Sequence, residues 1–169
     1  MADNAFPDVR WGHQTPILKK YVPAFAGTHV GSWVIRTLSP LDRKILARTK
    51  GRRTILGPIG LPIVLLTTTG RKSGQRRSSP LLYVRDGDRL VVVGSNFGQA
   101  HHPAWTGNLL ANPNAHVTMG GADIDVVATP IAGAEKDRLY RDFIELAGNY
   151  ETYLGRTDRD LRMFALTHR

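Results

Sequence analysis

The sequence predicts an α+β fold, a mostly antiparallel β-barrel with flanking helices. Three observations predict it. Short β-branched runs follow one another through Gly-containing turns, as hairpins require. Helical patterns sit between some of these runs, without the regular strand and crossover-helix alternation of a doubly wound parallel sheet. A chain of 169 residues is long enough to bury one core without disulfides or a structural metal, so a single domain is expected.

Residues 1–35 mix Pro, Gly and aromatics, among them Trp11, Tyr21, Phe25 and Trp33, without sustained period, and predict an irregular or short-helical arm. Residues 37–50 carry Leu38, Leu41, Ile45 and Leu46 among basic residues. This spacing predicts one short helix, with Ser39-Pro40 as cap and first helical position. The β-branched run 63–69, bounded by Pro62 and Gly70, predicts a buried strand. Two further strands, 80–84 and 89–94, are joined at Asp86-Gly87, a dipeptide suited to a tight hairpin. Residues 103–111 predict a helix with Trp105, Leu109 and Leu110 on one face, stopped by Asn112-Pro113. Strands 115–119 and 124–131 flank Gly120-Gly121. Residues 136–147 form an amphipathic helical pattern, and 162–166 predict a last strand.

Composition removes several classes of function. Cysteine is absent, so thiolate metal sites and thiol catalysis are excluded. No run of eighteen apolar residues occurs, and Met1-Ala2-Asp3-Asn4 lacks the layout of a secretory signal, so a soluble cytoplasmic protein is expected. The net charge of +9 predicts attraction to polyanions. Between Arg36 and Arg85 stand twelve Lys or Arg against the single acid Asp42, whereas from Asp86 to Met119 the only Lys or Arg is Arg89. That concentration favours a local anion site over a nucleic-acid surface. The run from Arg43 to Arg53 reads as a solvated helix face, with contact to anionic lipid left open.

The sharpest motif is Gly70-Arg71-Lys72-Ser73-Gly74, which falls between two strands, with Arg76 and Arg77 just beyond. Glycines let backbone N–H groups converge on an anion, Arg offers a fork matched to phosphate, and Lys a point charge. Each charge-assisted bond contributes roughly 1.5 to 3 kcal/mol where water is partly excluded. The spacing is neither that of a P-loop nor that of a dinucleotide fingerprint. On charge alone a solvated hairpin loop explains it equally well. His101-His102 precede a proline with no evident third ligand, and no metal site is assigned.

Leu65 to Gly74, the strand pair around Asp86-Gly87, the run Val93-Gly94-Ser95-Asn96-Phe97-Gly98, and His102-Pro103-Ala104-Trp105 through Asn108-Leu109 to Asn112-Pro113 together resemble the deazaflavin (F420)-dependent nitroreductase family. The resemblance covers roughly residues 60–160. It implies a split β-barrel related to flavin mononucleotide oxidases, with reduced coenzyme F420 as hydride donor to a quinone, enone or nitroaromatic. It implies that Arg71, Lys72, Ser73 and Gly74, with Arg77 nearby, hold the cofactor phosphate and oligoglutamate tail. It places Pro80 and Val93, Gly94 and Ser95 along the deazaflavin ring. Asn96 stands where a close relative has Lys, and Trp105 either touches the ring or packs in the core. Tyr150 and Tyr153, spaced as in the family, would border the acceptor pocket, Tyr150 as proton donor or as packing. The arm 1–35 would cap that pocket, with 36–169 as the barrel. Dimerisation is usual in split barrels. Two alternatives stay open: a flavin mononucleotide enzyme of the same fold, and a noncatalytic carrier of F420 or a lipid.

Overall fold

Six strands close into a barrel in a computed structural model of the chain, which describes residues 6, 7, 9, 28–55, 60–147, 151, 152, 155 and 158–169. In chain order the described elements are α1 (His29–Arg48), β1 (Ile63–Thr69), β2 (Arg76–Asp86) and β3 (Arg89–Val93). A short 3-10 turn (Asn96–Gly98) leads to α2 (Ala104–Ala111), β4 (Asn114–Met119), β5 (Ala122–Ile131), α3 (Gly133–Leu146) and β6 (Met163–His168). Around the barrel the order is β1-β2-β3-β6-β5-β4 and back to β1, every pair antiparallel.

Period-two alternation sorts the side chains into an inside and an outside. Val64, Leu66, Tyr83, Leu90, Val92, Val117, Val126, Phe164 and Leu166 fill the barrel. The intervening residues of β3, β5 and β6, among them Val91, Val93, Ile131, Met163 and Ala165, are covered by Leu139, Tyr140 and Phe143 of α3. Ile63 and Leu65 lie beneath Leu46 of α1. Strands covered on both faces read as continuous apolar runs. This is why β1 was legible as a run rather than as an alternation.

Register fixes which loops share a mouth. Thr69 pairs with Arg76, Thr68 with Ala115, and Val93 with Met163, so the β1–β2 turn, the end of β3 and the starts of β4 and β6 meet at one end. The hairpins β2–β3 and β4–β5 and the end of β6 meet at the other. Helix α2 seals the first mouth by inserting Trp105 and Leu109 into the core, Trp105 with its ring 5.8 Å from that of Phe164. At the second mouth Phe6 enters the core with its ring 4.3 Å from His168, and Arg85 Nη2 donates to the Phe6 carbonyl at 2.7 Å. Burying Phe6 contributes about 2 kcal/mol. The described part of the arm therefore plugs the end away from α2, and residues 10–27, with the expected pocket cap, lie outside the described residues.

Two sequence expectations need correction. The helix expected to begin at Ser39-Pro40 begins at His29 and carries Pro40 inside it, crossing the boundary drawn between arm and barrel at residues 35 and 36. Pro40 lacks the N–H that would bond one turn back, a loss that the longer helix absorbs. Its inward face is also different: Asp42 and Leu46 are buried, while Leu38 and Leu41 are exposed. Asp42 accepts hydrogen bonds from Thr54 Oγ1 at 2.8 Å and from the Ile55 N–H at 2.7 Å, which satisfies a carboxylate that hydrophobicity would have put outside. The second correction concerns the β2–β3 hairpin. Asp86 still pairs with Arg89, so the two-residue loop is Gly87-Asp88, with Gly87 at φ +63° in the first central position.

Candidate functional site

The turn from Gly70 to Gln75 is closed by its own backbone. Gly70 N–H donates to the Gln75 carbonyl at 2.8 Å, and Gly74 N–H to the Gly70 carbonyl at 2.7 Å. Gly74 sits at φ +65°, a conformation open to glycine at little cost. Ser73 Oγ accepts from the Gln75 N–H at 3.3 Å, so its hydroxyl shapes the turn. Asn108 of α2, buried beneath it, ties the turn to the helix. Its Oδ1 accepts from the Arg71 N–H at 3.1 Å and its Nδ2 donates to Thr68 Oγ1 at 3.0 Å. The Arg71 guanidinium then reaches over Gly107, where an added Cβ would stand 1.8 Å from Nη1.

Beside the turn opens a groove of about 940 Å³, lined by Arg71, Arg77, Ser79, Asn96, His101, His102, Pro103, Ala104, Trp105, Gly107, Asn108, Leu110 and Arg162. Among the described residues no carboxylate pairs with Arg71, Lys72, Arg77 or Arg162. Arg77 Nη2 donates to Gln75 Oε1 at 3.0 Å and Arg162 Nη1 to Thr106 Oγ1 at 3.4 Å, so these cations are held by neutral partners, an arrangement whose chemistry suits an anion.

The far wall is built from the chain leaving β3. Gly94 N–H donates to the Arg162 carbonyl at 2.8 Å, joining this exit to the start of β6. Asn96 and Phe97 follow with φ +46° and +56°, left-handed values that cost a bulky residue about 1 to 2 kcal/mol. Arg159 holds this segment in place. Its Nε donates to the Gln99 carbonyl at 2.9 Å, Nη1 to the Gly94 carbonyl at 3.0 Å and Nη2 to the Ser95 carbonyl at 2.6 Å, while Nη1 also lies 3.0 Å from His102 Nδ1. Burial, then the Arg162 and Arg159 charges, pushes the His102 imidazolium pKa below its ordinary value. Burial, then Arg162, lowers Arg159 as well.

Of the residues singled out from the sequence, Arg71, Arg77, Asn96 and Trp105 line this groove together. Lys72, Ser73 and Gly74 are exposed on the turn at its rim. Pro80 pairs with Leu65 and lies on the face of β2 opposite Ser79, outside the groove lining. Val93 packs under α3, and Gly94 and Ser95 form the wall behind the lining through their backbone. Tyr150 and Tyr153 lie outside the described residues. Ser79, Asn108, Arg159 and Arg162 were not singled out. Asn108, three residues past Trp105 on a short helix, stands in the tract that carries the resemblance, but nothing in its type or spacing says that it lies under the turn, and Arg159 and Arg162 precede β6, far in sequence from the rest of the site. Among the described residues no cluster of three metal-ligating side chains occurs.

A sequence model of the F420H(2)-dependent quinone reductase family matches residues 39–168. The chain is 36% identical over 144 residues to an F420H(2)-dependent quinone reductase of Mycobacterium tuberculosis, a match spanning 83% of this chain and 94% of that protein. It is also similar to the solved structure of an F420-H2 dependent reductase, with TM-score 0.57 and 36% identity over 62% of this chain and 93% of the other. A further similar structure, described as a domain-swapped dimer, has TM-score 0.58 and 34% identity over 76% of this chain and 99% of the other.

Proposed function

The chain belongs to the F420H(2)-dependent quinone reductase family, an oxidoreductase family of split-barrel fold, and on that premise we propose that its groove binds reduced F420 for hydride transfer to a quinone. The single observation that supports this most is that Arg71, Arg77 and Arg162 surround one cleft and that, among the described residues, no carboxylate neutralises them. The donor chemistry fits a ligand carrying a phosphate and carboxylates, and the volume suits a ligand of cofactor size.

When bound, reduced F420 supplies a hydride. The chain's own contribution is binding, orientation and exclusion of water. Arg71, Lys72 and Arg77, with the Gly70–Gly74 backbone, take the phosphate and tail, and Asn108 keeps that turn at a fixed height over α2. Trp105 and the 94–96 backbone would supply the apolar and polar parts of a wall to hold the deazaflavin ring. The carboxy-terminal Tyr150 and Tyr153 border the acceptor, Tyr150 as donor to its oxygen, and part of the arm 1–35 covers the groove. Enones and nitroaromatics are further acceptors, because they too accept hydride at an electron-poor centre. A second copy of the chain completes the assembly, by likeness to the domain-swapped neighbour.

Fluorescence titration with F420 and with flavin mononucleotide tests the cofactor, and tighter binding of the flavin would overturn the reading. Oxidation of reduced F420 by menadione is expected. Binding without that oxidation would instead favour a carrier. Lys72→Glu, at an exposed and unpaired position, is expected to weaken F420 binding at least tenfold with the melting temperature almost unchanged.

A further inference from the structure

The Arg159 guanidinium is turned into the protein. It bonds the carbonyls of Gly94, Ser95 and Gln99, and it spans a segment that contains two successive left-handed residues, Asn96 and Phe97. A second tie, from Asn96 Nδ2 to the His101 carbonyl at 2.9 Å, closes the same segment on itself. The second tie ends on the residue before His102, and the first reaches the His102 ring itself, a residue that lines the groove.

A guanidinium only donates. The contact between Arg159 Nη1 and His102 Nδ1 at 3.0 Å therefore requires a lone pair on Nδ1, and the imidazole proton must reside on Nε2. Among the described residues no group is bonded to Nε2. We infer that Arg159 is a positioning residue which fixes the 94–102 segment and presents His102 to the groove as a neutral imidazole, its Nε2–H donating to an oxygen of the bound ligand. This rests on the proposed function for the identity of that ligand, whose electron-rich oxygens are those of the quinone or of the deazaflavin ring. The charges facing His102 agree with a neutral ring. Arg159, Arg162 and Lys136 oppose protonation, and Asp160 alone among them favours it. A fixed neutral donor stabilises negative charge growing on an oxygen without giving up its proton, which suits hydride arrival at a carbonyl.

Nitrogen NMR of protein labelled at histidine tests this in the ligand-free state, independently of any activity. His102 is expected to show a protonated Nε2 and a bare Nδ1, and to titrate below pH 6.5. Arg159→Met is expected to mix the tautomers and raise the titration midpoint, because a donor and a positive charge are both lost, with Arg159→Lys restoring part of each. A proton on Nδ1 in the native protein, or an unchanged tautomer in Arg159→Met, would overturn the inference. Adding F420 or menadione is expected to move the Nε2 resonance, and if neither moves it the donor role is overturned. F420 fluorescence read in the same samples shows separately whether the cofactor reading stands. Should Arg159→Met fail to fold, His102→Phe leaves the three carbonyl bonds intact. It is expected to raise the KM for reduced F420 or menadione about tenfold at unchanged melting temperature, with His102→Gln recovering part of the loss, and an unchanged KM for both would count against the donor.

Discussion

Gly107 shows how a single missing atom sets up the groove. The Arg71 guanidinium occupies the space that a side chain on α2 would fill. Gly107→Ala therefore has two effects of opposite sign. Alanine in a helix interior gains about 1 kcal/mol over glycine through backbone entropy, while the long Arg71 side chain is displaced. The expected outcome is a melting temperature equal to or above the native one, with F420 binding weakened several-fold in titration. A mutation that stabilises the fold and damages the site separates the two roles of α2. At this same scale the sequence was informative for Arg71 and Arg77, because Arg between glycines in a turn announces itself by type and spacing. It was silent for Ser79, since which pleat face of β2 looks into the groove depends on register against β1.

At the scale of elements, two clamps hold helices to the barrel. Asn108 connects α2 to the end of β1 and to the β1–β2 turn. Asn108→Ala leaves Thr68 Oγ1 and the Arg71 N–H without their partner, and a loss of about 1 to 3 kcal/mol in denaturant unfolding is expected, with weaker F420 binding as the turn loosens. The other clamp is acidic. Asp86, last in β2, accepts from Arg89 Nε at 3.0 Å and from Arg138 of α3 at 3.0 Å, and Arg89 reaches on to Glu135. The Arg89 hydrogen bond, with Arg138 adding to it, holds the Asp86 carboxyl below the ordinary 3.8 despite its partial burial. A depressed carboxylate stabilises the fold above its unfolded pKa and loses that contribution as pH falls through the folded value. Melting temperature is thus expected to drop as pH falls below about 4, and Asp86→Asn is expected to flatten that drop while lowering stability at pH 7. Strand and helix existence was legible throughout this part of the chain. The β2–β3 turn was misread by one residue, because Asp86-Gly87 and Gly87-Asp88 fit a tight turn almost equally well and only strand pairing chooses between them.

For the whole molecule, the distribution of charge has a spatial meaning that the count of +9 lacks. Arg71 of the β1–β2 turn, Arg77 of β2 and Arg162, just before β6, converge on the groove, while Arg43, Lys44 and Arg48 of α1 are exposed outside its lining, with exposed Leu38 and Leu41 on the same helix. Exposed leucines beside Arg43, Lys44 and Arg48 suit an anionic bilayer surface, where quinones are found. Co-sedimentation with vesicles containing anionic lipid is expected to exceed that with neutral vesicles, and Leu41→Glu is expected to reduce it without affecting F420 titration. Among the described residues no helix is long and apolar enough to cross a membrane.

The sequence by itself determined the hairpin-rich barrel, the position of most strands and the basic turn, because these depend on neighbours in the chain. Side-chain alternation, Gly and Pro placement and the Gly70–Gly74 cations are local properties, and local physics writes them where they can be read. The tertiary structure decided the rest. It placed α2 rather than a strand edge under the turn, made Gly107 and Asn108 part of the site, and buried Asp42 on a helix face that hydrophobicity assigned to solvent. It also brought Arg159 and Arg162, from the segment before β6, to the end of β3, more than sixty residues away in sequence. Such contacts are fixed only when the barrel closes and its register is set, and no local pattern in the chain encodes them.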